Sequence, residues 1–334
     1  MKVISGFNYL KPIIIFIFLL IFAIGCDDVS GSSPDTTNYR AEMRDFVISL
    51  SAYARGIQSN FIIIPQNGTA LITTSGEIDG ILESTYINSV HAVGRESMFY
   101  GYDNDDEPTP QYDSEELLNL CLLWENNNVE VLSTDYCFTH SKMDNSYVLN
   151  AQYDFISFAA DERDLNNIPD YPTTPHNMNS NNITDVADAQ NFLYLINSEN
   201  YSTKAAFIQA VSNTNYDLII MDLFHNEEPF TESEITLLKT KANGATRLVV
   251  CYMSIGEAED YRFYWQSDWT TGNPGWLLEE NPDWAGNYKV KYWDSEWQAI
   301  IFGNNSSYLF NILSAGFDGV YLDIIDGFEY FEEM

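Results

Sequence analysis

The chain is poor in basic residues, and this shortage limits the partners that it can have. Its 334 residues include 15 Lys and Arg against 49 Asp and Glu, for a formal net charge of −34 at pH 7. Such a surface repels nucleic acid and anionic lipid headgroups, so neither is expected as a partner of the folded domain. The aromatic content of 15% is too high for an acidic disordered protein. We therefore expect a folded protein whose ligands are neutral or cationic.

The chain also lacks the motifs of metal and nucleotide sites. Beyond Cys26 it has only Cys121, Cys137 and Cys251, without a CxxC spacing, and this pattern indicates neither a disulfide framework nor a zinc site. Neither HExxH, GxGxxG nor a Walker motif occurs, and the acidic stretch 102–116 lacks the spacing of an EF-hand loop. We expect no metal and no cofactor. Cys137 and Cys251 are predicted to be small buried hydrophobic residues.

An apolar run over residues 12–24 follows two lysines, and a small residue, Gly25, separates it from Cys26 in the sequence AIGC. The run is short for a membrane span of ~20 residues, and AIGC resembles a lipobox. We therefore predict a lipoprotein signal peptide over residues 1–25, with Cys26 as the lipidation site. Residues 26–39 are rich in Ser, Gly, Pro, Asp and Thr and predict a flexible tether. The expected location is extracytoplasmic, with a lipid anchor in a bacterial membrane.

Short apolar runs separated by helix-length segments predict buried parallel strands. The runs are residues 61–68, 87–96, 129–136, 155–161, 191–197, 216–222, 247–254, 288–294 and 317–326. This βα alternation predicts one (β/α)8 TIM barrel over residues 40–334, with an open doubly wound sheet as the alternative. The last strand has almost no helix after it, whereas a predicted helix at 41–56 has no strand before it. Joining the two ends supplies the missing βα unit.

Polar and acidic side chains follow nearly all of these strands. They are Gln66 and Asn67, Glu96, Asp135 and Tyr136, Asp222, Ser254 with Glu257, Asp294, and Asp323 with Asp326. In a barrel the carboxyl ends of all strands open on one face, so these side chains are expected to converge on one site. For each Asp taken singly, a helix-capping or turn role is an equal alternative.

Three long motifs carry a family resemblance. They are CYMSIGEAEDYRFYW (residues 251–265), NPDWAGNYKVKYWDSEW (281–297) and AGFDGVYLDIIDGFEYFE (315–332). They resemble the endo-α-1,4-polygalactosaminidase-like family, glycoside hydrolase family 114 in the broad sense. IIIPQNG, VGRESMFYG, VEVLSTDYC and FISFAADERDL resemble the same family, although there they come after GVYLD. The resemblance therefore implies a circularly permuted barrel, in which residues 40–165 match the usual C-terminal half and residues 185–334 the usual N-terminal half.

The resemblance also points to a pair of carboxyl groups. Glycoside hydrolysis needs one protonated carboxyl, which donates to the leaving oxygen, and one ionised carboxyl, which acts as base or nucleophile. The family motifs point to Glu96, in VGRES, and to Asp323, in GVYLD. Our hypothesis makes Glu96 the general acid and Asp323 the nucleophile or base. Glu83 is a rival for the acid, and a loop-ordering role is the alternative for Asp323.

The same motifs contain further candidates for substrate binding, namely Ser254, Glu257, Tyr261, Arg262, Trp293 and Asp294. Arg262 is expected to orient carboxylates rather than to touch substrate. Trp293 and Asp294 are typical of a sugar platform with a hydrogen-bonding partner, and barrel core is the alternative for Trp293.

The activity that the resemblance implies is hydrolysis of an α-linked amino-sugar polysaccharide of the polygalactosamine type. Such a polymer is cationic at neutral pH, and the acidic protein surface attracts it. The alternative is a catalytically inactive carbohydrate-binding lipoprotein on the same barrel.

Overall fold

The computed structural model describes residues 37–334. The predicted signal peptide and the lipidation site at Cys26 lie outside the described residues, as does most of the predicted tether. Within residues 37–334, no helix has the length and the apolar character that crossing a bilayer requires.

The described part of the chain contains thirteen strands. They are β1 (Ile62–Pro65), β2 (Ala92–Glu96), β3 (Glu130–Tyr136), β4 (Ile156–Ala160), β5 (Phe192–Leu195), β6 (Leu218–Met221), β7 (Phe224–His225), β8 (Glu228–Pro229), β9 (Leu248–Ser254), β10 (Glu257–Glu259), β11 (Leu277–Glu280), β12 (Asn287–Val290) and β13 (Gly319–Asp323).

The same residues form nine α-helices. They are α1 (Tyr39–Ile57), α2 (Ser84–Ile87), α3 (Gln111–Glu125), α4 (His140–Ala151), α5 (Lys204–Ser212), α6 (Glu232–Leu238), α7 (Ser295–Ile301), α8 (Tyr308–Ala315) and α9 (Phe328–Glu332). Short 3-10 helices cover Thr69–Ile72, Val186–Asp188 and Ile325–Gly327.

Parallel strands form the core of an α/β fold. Five of them pair in the order β1-β13-β9-β6-β5, and three more pair in the order β2-β3-β4. The β13–β9 ladder runs in register from Gly319 opposite Val250 to Asp323 opposite Ser254. The strands of the larger sheet are buried along almost their whole length. Burial of both faces explains why these segments are continuous apolar runs without period-2 alternation.

The edge strands of the two parallel sheets lie side by side. An isolated parallel bridge joins Gln66, directly after β1, to Gly94 in β2, and the Asn67 amide donates to the Gly94 carbonyl over 2.8 Å. At the other edges β4 packs against β5, with the rings of Phe158 and Phe192 5.6 Å apart. The carboxyl ends of all eight parallel strands therefore point the same way.

Both ends of the described chain meet at α1. Asn38 caps this helix by accepting from the Ala41 amide, so helical structure begins within the predicted tether. Arg40 forms an ion pair of 2.9 Å with Glu332 in α9, and Tyr39 stacks on Phe331 with ring centroids 5.2 Å apart. A permuted chain requires its N-terminal helix to lie beside the helix that follows the last strand. α1 and α9 meet this condition. The permutation itself stays a prediction.

One predicted parallel strand is wrong. Only Tyr288–Val290 of the run 288–294 is extended, and β12 belongs to an antiparallel sheet in the order β10-β12-β11. The run alternates Lys289 and Lys291 with apolar residues, which is the pattern of a half-exposed antiparallel strand. Cys137 and Cys251, in contrast, are buried as predicted.

Candidate active site

A cavity of about 520 Å³ lies at the carboxyl ends of the parallel strands. The predicted residues that line it are Gln66, Asn67, Glu96, Tyr136, Asp222, Tyr261, Arg262, Asp323 and Asp326. Most of them end a parallel strand or lie within two residues after it, which is the relation that places catalytic residues on one face of α/β barrels.

Asp323 is the last residue of β13. One of its carboxyl oxygens accepts from the Tyr252 hydroxyl over 2.5 Å and the other from the Ile324 amide over 2.8 Å. Ile324 has a φ of 57°, in the left-handed region, so the chain turns sharply after the carboxyl group. Burial and the nearby negative charge of Glu96 raise the pKa of Asp323 to about 8. Two hydrogen bonds therefore orient the Asp323 carboxyl, and its raised pKa favours the protonated form.

Glu96 is the last residue of β2 and is held by two other predicted residues. Its Oε1 accepts from the Tyr136 hydroxyl, and its Oε2 accepts from the Asn67 side-chain amide over 3.1 Å. The Glu96 amide also donates to the Asn67 side-chain carbonyl over 3.3 Å. Asn67, Glu96 and Tyr136 form one hydrogen-bonded group at the ends of three neighbouring strands.

The two carboxyl groups are electrostatically coupled, since the charge of Glu96 contributes to the raised pKa of Asp323. Like charges at one site oppose double ionisation. The pair can thus supply one protonated and one ionised carboxyl, as glycoside hydrolysis requires. Burial and the charge of Glu96 favour the protonated form of Asp323, and which carboxyl of the pair acts as acid stays a prediction.

Arg262 lies between two carboxylates, as its predicted orienting role requires. Its guanidinium contacts Asp222 over 2.7 Å and Glu259 over 2.6 Å, and only 7% of its side chain is exposed. The Tyr261 hydroxyl donates to Glu259 over 2.7 Å. These two carboxylates surround the guanidinium and hold the pKa of Arg262 above its usual value against the effect of burial.

Two predicted residues are turned away from the cavity by their hydrogen bonds. Asp135 is fully buried and accepts from the Phe99 amide over 2.8 Å and from the Ser146 hydroxyl over 2.6 Å. It ties the segment after β2 to α4. The Ser254 hydroxyl donates to the Glu257 carbonyl over 3.2 Å. Both residues shape the loops beside the cavity rather than its surface.

Trp293 and Asp294 also lie outside the cavity. The Trp293 ring packs 5.1 Å from Tyr39 and 4.7 Å from Phe331, so it joins the aromatic cluster where the two chain ends meet. Asp294 caps α7 by accepting from the Glu296 amide over 2.9 Å. The capping alternative describes the contact of Asp294, whereas Trp293 is half-buried among aromatic rings of α1 and α9.

Two glutamates that were candidates from the sequence have structural partners. Glu83, the rival acid, lies 3.4 Å from the Arg44 guanidinium and does not line the cavity. The Glu257 carboxylate is 3% exposed and accepts from the Asn281 side-chain amide over 2.8 Å. Between Glu83 and Glu96, only Glu96 reaches the cavity.

The cavity also has lining residues that were not predicted, among them Arg163, Tyr194, Asn197, Glu199, Tyr252, Glu259, Trp284 and Asn287. Arg163 lies 3.9 Å above the Tyr136 ring and donates to Asp105 over 2.7 Å. Trp284 and Asn287 belong to the small antiparallel sheet and its loop rather than to the end of a parallel strand. Glu259 and Trp284 do occur within the quoted motifs, so the motifs themselves contained their signal.

One known family matches a segment in the second half of the chain. Residues 173–334 match the glycoside-hydrolase family GH114. This segment belongs to family GH114. It contains Asp222, Arg262 and Asp323 of the cavity, whereas Glu96 lies outside the matched residues. The family has the (β/α)8-barrel type of fold.

Three relatives match part of the chain. An uncharacterized protein of Methanocaldococcus jannaschii is 41% identical over 183 residues, 54% of this chain and 49% of that protein. Uncharacterized proteins of Deinococcus radiodurans and Thermotoga maritima are 40% and 41% identical over 123 residues. These matches cover 36% and 37% of this chain, and 37% and 36% of the two relatives. The chain thus spans at most about half the length of these relatives.

Proposed function

We propose that the protein is a glycoside hydrolase that cleaves an α-linked amino-sugar polysaccharide of the polygalactosamine type. The observation that carries this proposal is the coupled pair Glu96 and Asp323 in one cavity. Glu96 ends β2, Asp323 ends β13, and β1 lies between these strands. The GH114 segment that contains Asp323 supports the reaction class.

The charge of the cavity supports a cationic substrate. Seven carboxyl groups line it, from Glu96, Asp164, Glu199, Asp222, Glu259, Asp323 and Asp326, against the guanidinium groups of Arg163 and Arg262. Even with one proton on the catalytic pair, the lining keeps a net negative charge. An amino sugar that carries an ammonium group complements this field, whereas a uronic acid polymer is repelled.

We infer that the eight parallel strands form one closed, circularly permuted (β/α)8 barrel. Their spatial order is β2, β3, β4, β5, β6, β9, β13 and β1, and the bridge between β1 and β2 returns to the start. A variant that links residue 334 to residue 37 and opens the chain near residue 173 tests this inference. It is expected to fold with near-native stability, because termini that lie close together tolerate permutation.

We also propose that the protein is exported and anchored through lipid on Cys26. The apolar run before AIGC supports this proposal. Labelling cells with a radioactive fatty acid is expected to mark the wild type and not Cys26→Ser. Equal labelling of both proteins would exclude Cys26 as the acylated residue.

The hydrolase proposal is tested by product release from α-1,4-galactosamine oligomers and a panel of bacterial exopolysaccharides. Glu96→Gln and Asp323→Asn are expected to lose activity while keeping their fold. Substrates with a good leaving group separate the two roles, since such a substrate no longer needs a general acid. Rescue of Glu96→Gln by such a substrate supports Glu96 as the acid, and rescue of Asp323→Asn supports the reverse order.

A further inference from the structure

The small antiparallel sheet contributes an exposed tryptophan to the cavity. Trp284 lies in the loop between β11 and β12, lines the cavity and has 54% of its surface exposed. A large flat ring that is exposed in a cavity rich in polar groups is placed to contact a ligand.

The loop that carries Trp284 is closed by its own hydrogen bonds. The Asn281 amide donates to the Asn287 carbonyl over 2.7 Å, the Trp284 amide to the Asn281 carbonyl over 3.3 Å, and the Asn287 amide to the Trp284 carbonyl over 3.1 Å. At its base, the Asn281 side chain donates to the buried Glu257 carboxylate over 2.8 Å. The ring is therefore presented on a fixed turn, and Glu257 is a positioning residue for that turn.

Polar groups lie on the same wall of the cavity. Tyr261 has 60% of its surface exposed, and its hydroxyl lies 2.7 Å from the Glu259 carboxylate and 3.3 Å from the Asn287 side-chain oxygen. All three residues line the cavity together with Trp284. An aromatic face beside carboxylate and amide groups suits a pyranose, which has apolar C–H faces and a polar rim.

We propose that Trp284, with Tyr261 and Asn287, forms a separate sugar subsite that binds a pyranose of the substrate chain away from the bond being cleaved. The proposal rests on the proposed function in that the occupant is the same amino-sugar polysaccharide. Barrel strands supply the catalytic pair, whereas the antiparallel sheet supplies this subsite. Binding there can therefore be lost without loss of chemistry, and only chains long enough to reach Trp284 gain from it.

The test compares Trp284→Ala and Trp284→Phe in the full chain, with α-1,4-galactosamine oligomers of increasing length. If the ring contact with a pyranose is as strong as a contact between two aromatic rings, about 0.5–1.5 kcal/mol, Trp284→Ala is expected to raise KM for long oligomers roughly two- to twelvefold. The kcat value and the KM for the shortest cleaved oligomers are expected to stay unchanged, and Trp284→Phe is expected to restore most of the affinity. Tyr112→Ala is the matched control, because Tyr112 is 76% exposed on α3 and does not line the cavity.

A binding measurement separates this inference from the hydrolase proposal. In a Glu96→Gln background, equilibrium binding of the same oligomers is expected to weaken by the same factor when Trp284 is replaced by Ala. If the wild type releases no new reducing ends from any oligomer, the hydrolase proposal fails, and Trp284-dependent binding still supports the subsite. Unchanged affinity and unchanged KM for long oligomers in Trp284→Ala would overturn the subsite.

Discussion

Replacing Asp323 by Asn is expected to stabilise the protein at neutral and alkaline pH. Burial and Glu96 raise the pKa of Asp323 from 3.8 to about 8. An unfolded chain ionises this carboxyl above pH 4, whereas the folded chain keeps it protonated until about pH 8. The folded state therefore loses stability as pH rises through this window, and the loss persists above it.

The expected gain in stability of Asp323→Asn follows from the change in the pKa of Asp323 on folding. One pKa unit corresponds to about 1.4 kcal/mol, so a shift of four units sets an upper limit of about 5–6 kcal/mol. Because the carboxyl lines an open cavity, where solvent screens part of this effect, we expect a gain of about 1–3 kcal/mol. The amide can keep both contacts, since its oxygen accepts from the Ile324 amide and its nitrogen can donate to the Tyr252 hydroxyl.

Urea unfolding of the wild type and Asp323→Asn between pH 4 and pH 9 measures the difference. The variant is expected to gain stability over the wild type progressively with rising pH, and the gain is expected to vanish near pH 4. Asp294→Asn is the matched control, since this carboxyl caps α7 outside the cavity. A gain that does not depend on pH, or a variant less stable than the wild type at pH 8, would refute the reasoning.

Three further changes have defined outcomes. Lys241→Met is expected to cost about 3–5 kcal/mol in urea unfolding, because the Asp217 carboxylate 2.8 Å away is fully buried and loses its counter-charge. Adding Asp217→Leu to this variant is expected to recover part of the loss. Arg262→Lys is expected to lower kcat/KM without unfolding the domain, because an ammonium group cannot bridge two carboxylates as the guanidinium does. Unchanged kcat/KM would contradict the orienting role. Gly94→Ala is expected to cost about 1–3 kcal/mol in thermal unfolding, since an added Cβ overlaps the Tyr321 hydroxyl inside the parallel sheet, and wild-type stability would contradict that packing.

The sequence predicted the parallel strands well, because a strand buried on both faces is an uninterrupted apolar run. β9, over Leu248–Ser254, and β13, over Gly319–Asp323, lie within the predicted runs. The prediction of a parallel strand over residues 288–294 was wrong, since Lys289 and Lys291 alternate with apolar residues there. That alternation was the better guide to an exposed antiparallel strand.

The strand-end rule agreed with the family motifs on Glu96 and Asp323, and it overestimated how many of the other strand-end residues line the cavity. Asn67, Glu96 and Asp323 face the cavity because each lies at the carboxyl end of a strand or directly after it. Asp135 occupies a similar position and is turned to the backbone of the segment after β2. The position of a residue in a strand determines where its backbone lies. The hydrogen-bond donors nearby determine the orientation of its side chain.

Loop residues could not be predicted in the same way. Arg163 follows β4 by three residues, and Trp284 lies in a hairpin that no barrel pattern implies. Their approach to the cavity depends on long-range packing of loops, which leaves no periodic signal in the sequence. Only the tertiary structure places them beside Tyr136 and Tyr261.

The most direct test of the account is a count of new reducing ends released from α-1,4-galactosamine oligomers by the wild type, Glu96→Gln, Asp323→Asn and Glu83→Gln. The account predicts release by the wild type and by Glu83→Gln, and loss of release in the two variants of the cavity pair. Equal release by Glu96→Gln and the wild type, or binding of the oligomers by all four proteins without any cleavage, would contradict it.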